Sequence, residues 1–232
     1  MEKLGPYAQP LLWGALGLLI GCGVALPTAR LVRVFHHQLD DSVPYATWEG
    51  RLAAALCPAL LLAVGLRYGS LNGQAFLPAL LTALSVWVSC IVLVLDWRLR
   101  YIPDRVQYPA IVMALLLRWA IQANPTEALL GMALGVAFWG TIYLVATVAY
   151  KNPEAFGRGD VKLGAFIGAV LGPVYALIAF AMGITLGGIF AGAYIVMQRG
   201  SRKSFIAYGP FMVLGLLFVL YLFPKGVFHL PA

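Results

Sequence analysis

Charge is scarce in this chain: only 11% of its 232 residues are Asp, Glu, Lys or Arg, while 62% are hydrophobic. Soluble domains carry about a quarter charged residues, so an ordinary soluble fold is excluded. Acids are scarcer still, nine against 16 Lys and Arg, and a carboxylate beside a bilayer calls for a functional reason. Cysteine is nearly absent, with Cys22, Cys57 and Cys90 isolated in apolar runs. No Cys-x-x-Cys pair exists to hold zinc or do redox chemistry, so all three read as small core residues. His36 and His37 precede Asp40 and Asp41, but adjacent histidines point in different directions on regular structure. That stretch reads as a solvated loop, and neither a metal nor any other cofactor is expected. No basic stripe with interleaved aromatics is present either. The net charge of +7 is therefore read as membrane topology and attraction to anionic lipid, with no nucleic-acid partner.

What is abundant is the long apolar run. At about 20 residues per crossing, the chain reads as an all-α, polytopic membrane helix bundle of about eight transmembrane helices, a single domain over residues 1–232. The expected spans are 10–29, 52–67, 73–95, 105–122, 127–150, 161–172, 174–197 and 208–224. The second is short and contains Pro58, so the second and third could be divided wrongly. The sixth is short as well and ends at Gly172-Pro173. The first lacks a basic segment before it and a small-residue cleavage site after it, so it reads as a retained span. Alternate loops divide the basic residues unevenly. Arg30, Arg33, Arg51, Arg98, Arg100, Arg105, Lys151, Arg158, Lys162, Arg199, Arg202 and Lys203 fall on one side, and Lys3, Arg67, Arg118 and Lys225 on the other. Basic loops stay cytoplasmic, which puts both termini outside and turns Asp96 and Asp160 toward the cytoplasm.

Those two aspartates carry the chemistry. Asp96 ends the run Val92-Leu93-Val94-Leu95 and is followed by Trp97-Arg98-Leu99-Arg100-Tyr101-Ile102-Pro103-Asp104. Pro103 lacks a backbone donor and holds Ile102 extended, so the helix must break into a short cytoplasmic turn. Asp160 closes Gly157-Arg158-Gly159-Asp160, ahead of Val161-Lys162-Leu163. Its glycines permit unusual backbone geometry before an acid in an N-cap-like position. Gly164, Gly168 and Gly172 would line one face of the sixth span and let the third approach it closely, which the meeting of Asp96 with Asp160 requires.

On these residues the chain resembles the type IV prepilin peptidases, membrane aspartic proteases with a Gly-x-Gly-Asp segment opening a helix and an earlier aspartate before a Pro-Asp end. Ile206-Ala207-Tyr208-Gly209-Pro210-Phe211 resembles the family's Pro-Phe-Gly-Pro-Phe-type loop, Ala207 and Tyr208 departing from it. The resemblance runs from about residue 75 to the C-terminus. It implies catalytic Asp96 and Asp160, supported by Gly157, Gly159, Lys162, Pro103 and Asp104, Asp104 being close enough to Asp96 for a shifted helix end to exchange their roles. It implies an inner-membrane endopeptidase that removes the short basic leader of prepilins or pseudopilins at the cytoplasmic face, with that substrate protein and membrane lipid as partners. Substrate-binding residues are not identified, although Asp40, Asp41, Glu49 and Glu154 could attract the leader. Bifunctional members carry a large first cytoplasmic loop with paired cysteines. Here that loop is about residues 30–51 and has none, so N-methyltransferase activity is not implied.

Peptide hydrolysis by two carboxyls needs one to take a proton from the attacking water and the other to hydrogen-bond the scissile carbonyl. Asp96 near a helix C-terminus and Asp160 near an N-terminus make Asp160 the expected base. Arg98, Arg158 or Lys162 could reverse that order by supplying a counter-charge. Lys162 could also orient Asp160 or a substrate carbonyl. The alternative class is a proton-coupled transporter, which also uses membrane acids and Gly-broken helices. It would usually show internal repeats and midplane acids, and neither is evident. A non-catalytic scaffold would not need the two aspartates.

Overall fold

The computed structural model describes residues 8–39, 47–69, 76–122, 125–150, 157–198 and 207–229. These residues form the helices α1 (Ala8–Leu39), α2 (Thr47–Gly69), α3 (Phe76–Leu99), α4 (Asp104–Gln122), α5 (Thr126–Tyr150), α6 (Arg158–Gln198), α7 (Gly209–Leu222) and the short α8 (Pro224–Phe228). No strand occurs among them. Helices close every backbone hydrogen bond within one segment, which is what a chain this apolar needs in hydrocarbon. α1, α2, α3, α5 and α6 are long and apolar enough to cross a membrane. Their outer faces carry large apolar side chains such as Leu19, Val148 and Met197, as a lipid-facing surface requires.

α6 is two helices in one. It runs for 41 residues with a single non-helical residue, Gly172, at φ 73° and ψ 175°. Only glycine adopts that φ at little cost, and Pro173 behind it cannot continue the ladder of the first half. A straight helix would hold residues 164 and 180 about 24 Å apart. Trp139 of α5 nevertheless abuts Gly164 and also packs edge-on against Phe180, with ring centroids 5.7 Å apart, so the chain turns back at Gly172. Counting α6 twice and adding α4 and α7 gives the eight apolar segments expected.

Three expectations change. The first two helices are longer than their predicted spans, and α2 passes unbroken through Pro58. His36 and His37 therefore lie on α1, His36 buried and His37 exposed, with their rings 79° apart, rather than in a solvated loop. Asp40, Asp41 and Glu154 lie outside the described residues. Cys57 and Cys90 are buried, but Cys22 is exposed on the apolar outer surface of α1 and is not a core residue.

The third change concerns the small-residue stripe. Gly164 and Gly168 face α5, not α3: a Cβ on Gly168 would fall on the carbonyl oxygen of Gly131, and one on Gly131 on the carbonyl oxygen of Gly168. Gly135 and Gly164 form a second such pair one turn along. The stripe thus brings α5 and α6 backbone to backbone, while α3 and α6 are joined through α4 and α7, each of which packs on both. Gly168→Ala is accordingly expected to destabilise the bundle by about 1–3 kcal/mol, the usual cost of overpacking. Thermal unfolding in detergent would read this as a lowered midpoint.

A candidate two-aspartate active site

α3 delivers Asp96 from within its last turn, and the helix then ends abruptly. The Arg100 N–H still donates to the Asp96 carbonyl (3.0 Å), while Arg100 itself takes a left-handed φ of 53°. The chain extends through Ile102 to Pro103, whose carbonyl accepts from the Val106 and Gln107 N–H groups (3.1 and 3.0 Å) and so starts α4. The predicted break at Pro103 occurs, and it fixes Asp96 on one helix and Asp104 on the next.

α6 delivers Asp160. Gly157 occupies the capping position and its carbonyl accepts from the Asp160 N–H (3.1 Å). Asp160 is therefore the third residue of α6, not its cap. Both glycines sit where a side chain would be tight. A Cβ on Gly157 would stand 3.1 Å from Asp160 Oδ2, and one on Gly159 would stand 3.0 Å from Ile102 Cβ. Gly159 thus seats the opening of α6 directly on the turn that follows Asp96.

α7 closes the site. Its first residue is Gly209, with Pro210 next and no side-chain cap from Tyr208. The first N–H groups of a helix lack partners within it, and here the Gly209 N–H donates to Asp96 Oδ2 (2.9 Å). Asp96 thus caps a helix in trans, with the positive end of the α7 dipole directed at its carboxylate. The ring of Tyr208 rests on α6, 2.9 Å from where a Cβ on Gly187 would lie, and it is within electrostatic reach of Asp160. Asp160 is in turn within electrostatic reach of Asp96. The two aspartates are 5% and 7% exposed and are the only buried acids among the described residues.

The supporting residues divide. Lys162 does not pair with Asp160: its Nζ donates to Asp104 Oδ1 (2.5 Å) and lies 5.2 Å from the Tyr108 ring centre. Asp104, partly exposed and ion-paired, is engaged apart from the buried pair. Arg158 turns away to the Tyr143 hydroxyl (3.2 Å), and Arg98 stands over the Trp48 ring. Arg100 is the cation acting on Asp96. Three residues escaped the sequence reading as site members. Tyr208 and Gly209 were visible only as a motif of no stated role. Gln107, fully buried, reaches from α4 to the Lys162 carbonyl of α6 (Nε2 to O, 3.4 Å). Its signal was a lone amide on an apolar face.

Comparison with known proteins bears on this same region. The type IV leader peptidase family matches residues 83–192. The chain is 26% identical over 208 residues to the "Type 4 prepilin-like proteins leader peptide-processing enzyme" of Escherichia coli O78:H11 (strain H10407 / ETEC), covering 80% of this chain and 71% of that protein. It is 29% identical over 168 residues to the "Prepilin leader peptidase/N-methyltransferase" of Bacillus subtilis (strain 168), covering 70% of this chain and 62% of that protein. No solved structure matches it. The matched residues run from the middle of α3 through both aspartates into the second half of α6, and over that stretch the chain is similar to the type IV leader peptidase family.

Proposed function

We propose that the chain is an aspartic endopeptidase of the inner membrane, a single catalytic unit that removes the short basic leader from prepilins or pseudopilins at the cytoplasmic face through Asp96 and Asp160. The observation that carries this reading is the convergence of the only two buried acids among the described residues on the Tyr208-Gly209 turn. Asp160 feels the charge of Asp96, and two buried carboxyls that interact in this way resist joint ionisation, so they hold one proton between them. The surroundings decide which oxygen atoms hold it. Asp96 accepts a backbone N–H and lies near the Arg100 guanidinium, and both favour a carboxylate there. Asp160 receives no comparable donor among the described contacts.

This reverses the order expected from each aspartate's own helix, because the α7 N-terminus outweighs the end of α3. Asp96 takes a proton from water as the oxygen attacks the scissile carbonyl. Asp160 donates its proton toward that carbonyl oxygen. As the tetrahedral intermediate collapses and the C–N bond breaks, the proton on Asp96 passes to the leaving amine, which departs as the mature N-terminus, and the proton on the former carbonyl oxygen returns to Asp160 as C=O re-forms. The basic residues assigned to the aspartate side support a cytoplasmic site, since positive loops are retained there.

The test is leader removal from a prepilin in vesicles containing the purified chain, with the new N-terminus identified by mass spectrometry. Absence of cleavage under conditions where the protein is folded would sink the reading. The Lys162–Asp104 pair is partly exposed and pairs of that kind contribute about 0–1 kcal/mol. Asp104→Asn and Lys162→Met are therefore expected to keep cleavage within about tenfold of the unmodified chain, separating them from the buried pair.

A further inference from the structure

On the other side of α3 and α4 from the aspartates lies a cavity of about 440 Å³, lined on α1 by Leu31, Val34 and Phe35, with Leu84 and Trp87 from α3 and Val106, Pro109, Ala110 and Met113 from α4. Among the described residues, the one charged residue in its wall is Arg105, exposed at the start of α4. We propose that this groove binds one anionic glycerophospholipid, with an acyl chain between α1 and α4 and the phosphate on Arg105.

Its position separates it from the catalytic pair. Trp87 precedes Asp96 by nine residues, two and a half helical turns, and so lies on the opposite face of α3. Along α4 the lining residues run from Arg105 to Met113, about 12 Å. That is less than half of a hydrocarbon core of about 30 Å, so the groove matches one leaflet with its charged end at the surface. Val34 and Met113, 48% and 47% exposed, open it sideways toward lipid.

Size and charge select the occupant. The groove runs about 12 Å along α4, less than half the length of a helix that crosses about 30 Å of hydrocarbon, so the membrane-spanning segment of a substrate does not fit within it. A single hydrocarbon chain does. Guanidinium pairs with phosphate through two parallel hydrogen bonds, and the sequence assigns most Lys and Arg to the same side of the membrane as Arg105, complementing an anionic leaflet. The other face of α4 holds Asp104 against Lys162 and Gln107 against the Lys162 carbonyl. A lipid filling the groove therefore braces the helix that positions the start of α6.

Thermal unfolding of the full chain in a neutral detergent, with phosphatidylglycerol, phosphatidylcholine or inorganic phosphate added, tests this. Phosphatidylglycerol near 100 times its Kd is expected to raise the midpoint by about 5 °C or more, with one lipid retained in native mass spectrometry. Arg105→Gln should unfold at an unchanged midpoint without lipid and lose most of the shift. Val34→Trp, which fills the mouth of the groove, should lose it too. An equal shift from phosphatidylcholine, from phosphate alone, or in Arg105→Gln would overturn the site. So would a photocrosslinker at position 113 that captures substrate protein rather than lipid.

Discussion

Asp96→Asn and Asp160→Asn are each expected to lower leader cleavage by about 10²–10⁴-fold, the range for loss of a positioned acid or base. Asn keeps the shape of Asp, and the Gly209 N–H can still donate to an amide oxygen, so the chain should fold and unfold near its usual temperature. The double variant should be barely worse than either single one, because residues that act as one unit are strongly non-additive. Initial rates on one prepilin at matched protein levels measure this. Activity above a tenth of the unmodified rate in either variant would remove that aspartate from the mechanism. Infrared difference spectra give the assignment of roles a separate readout. The protonated-carboxyl band should vanish in Asp160→Asn and persist in Asp96→Asn, and the opposite pattern would restore Asp160 as the base.

The second large effect is expected at Gly209, which makes contact with a carboxylate through its backbone alone. A Cβ there would stand 2.6 Å from Asp96 Oδ2 and 3.1 Å from its Cγ, closer than nonbonded atoms tolerate. Either the carboxylate turns away or the start of α7 retreats, and each breaks the 2.9 Å hydrogen bond. Displacements of about 1 Å at a reacting group cost on the order of 100-fold. Gly209→Ala should therefore reduce kcat by about that factor with a smaller change in KM, and leave the thermal midpoint within a few degrees. A kcat within threefold of the unmodified chain would show that the Gly209 N–H does not hold Asp96 in place.

The helices were legible because an apolar run of sufficient length has one stable backbone solution in hydrocarbon. The breaks at Pro103 and at Gly172-Pro173 fell where expected because each proline follows a residue that leaves helical geometry, Ile102 and Gly172, whereas Pro58, with no such residue before it, leaves α2 unbroken. Both aspartates were legible because charge is so rare here. What misled was locality. His36 and His37 were read from adjacent charges, but α1 runs on past them. Lys162 was read beside Asp160 because they are two residues apart, although its side chain reaches Asp104 across the α4–α6 seam. The glycine stripe was recognised as a packing face, but its periodicity carries no address, and α5 offered matching glycines at 131 and 135.

By itself, then, the sequence determined the class, the helices, the breaks and the two carboxyls, since each follows from the local cost of leaving a polar group or an apolar run in the wrong solvent. Only the tertiary structure decided that α7 inserts its N-terminus between α3 and α6, that a glycine N–H meets Asp96, and that Asp104 and Lys162 are occupied with each other. Those outcomes depend on which faces of distant helices fit together, a matter of shape complementarity across sequence separations of 58 to 113 residues that no single segment encodes.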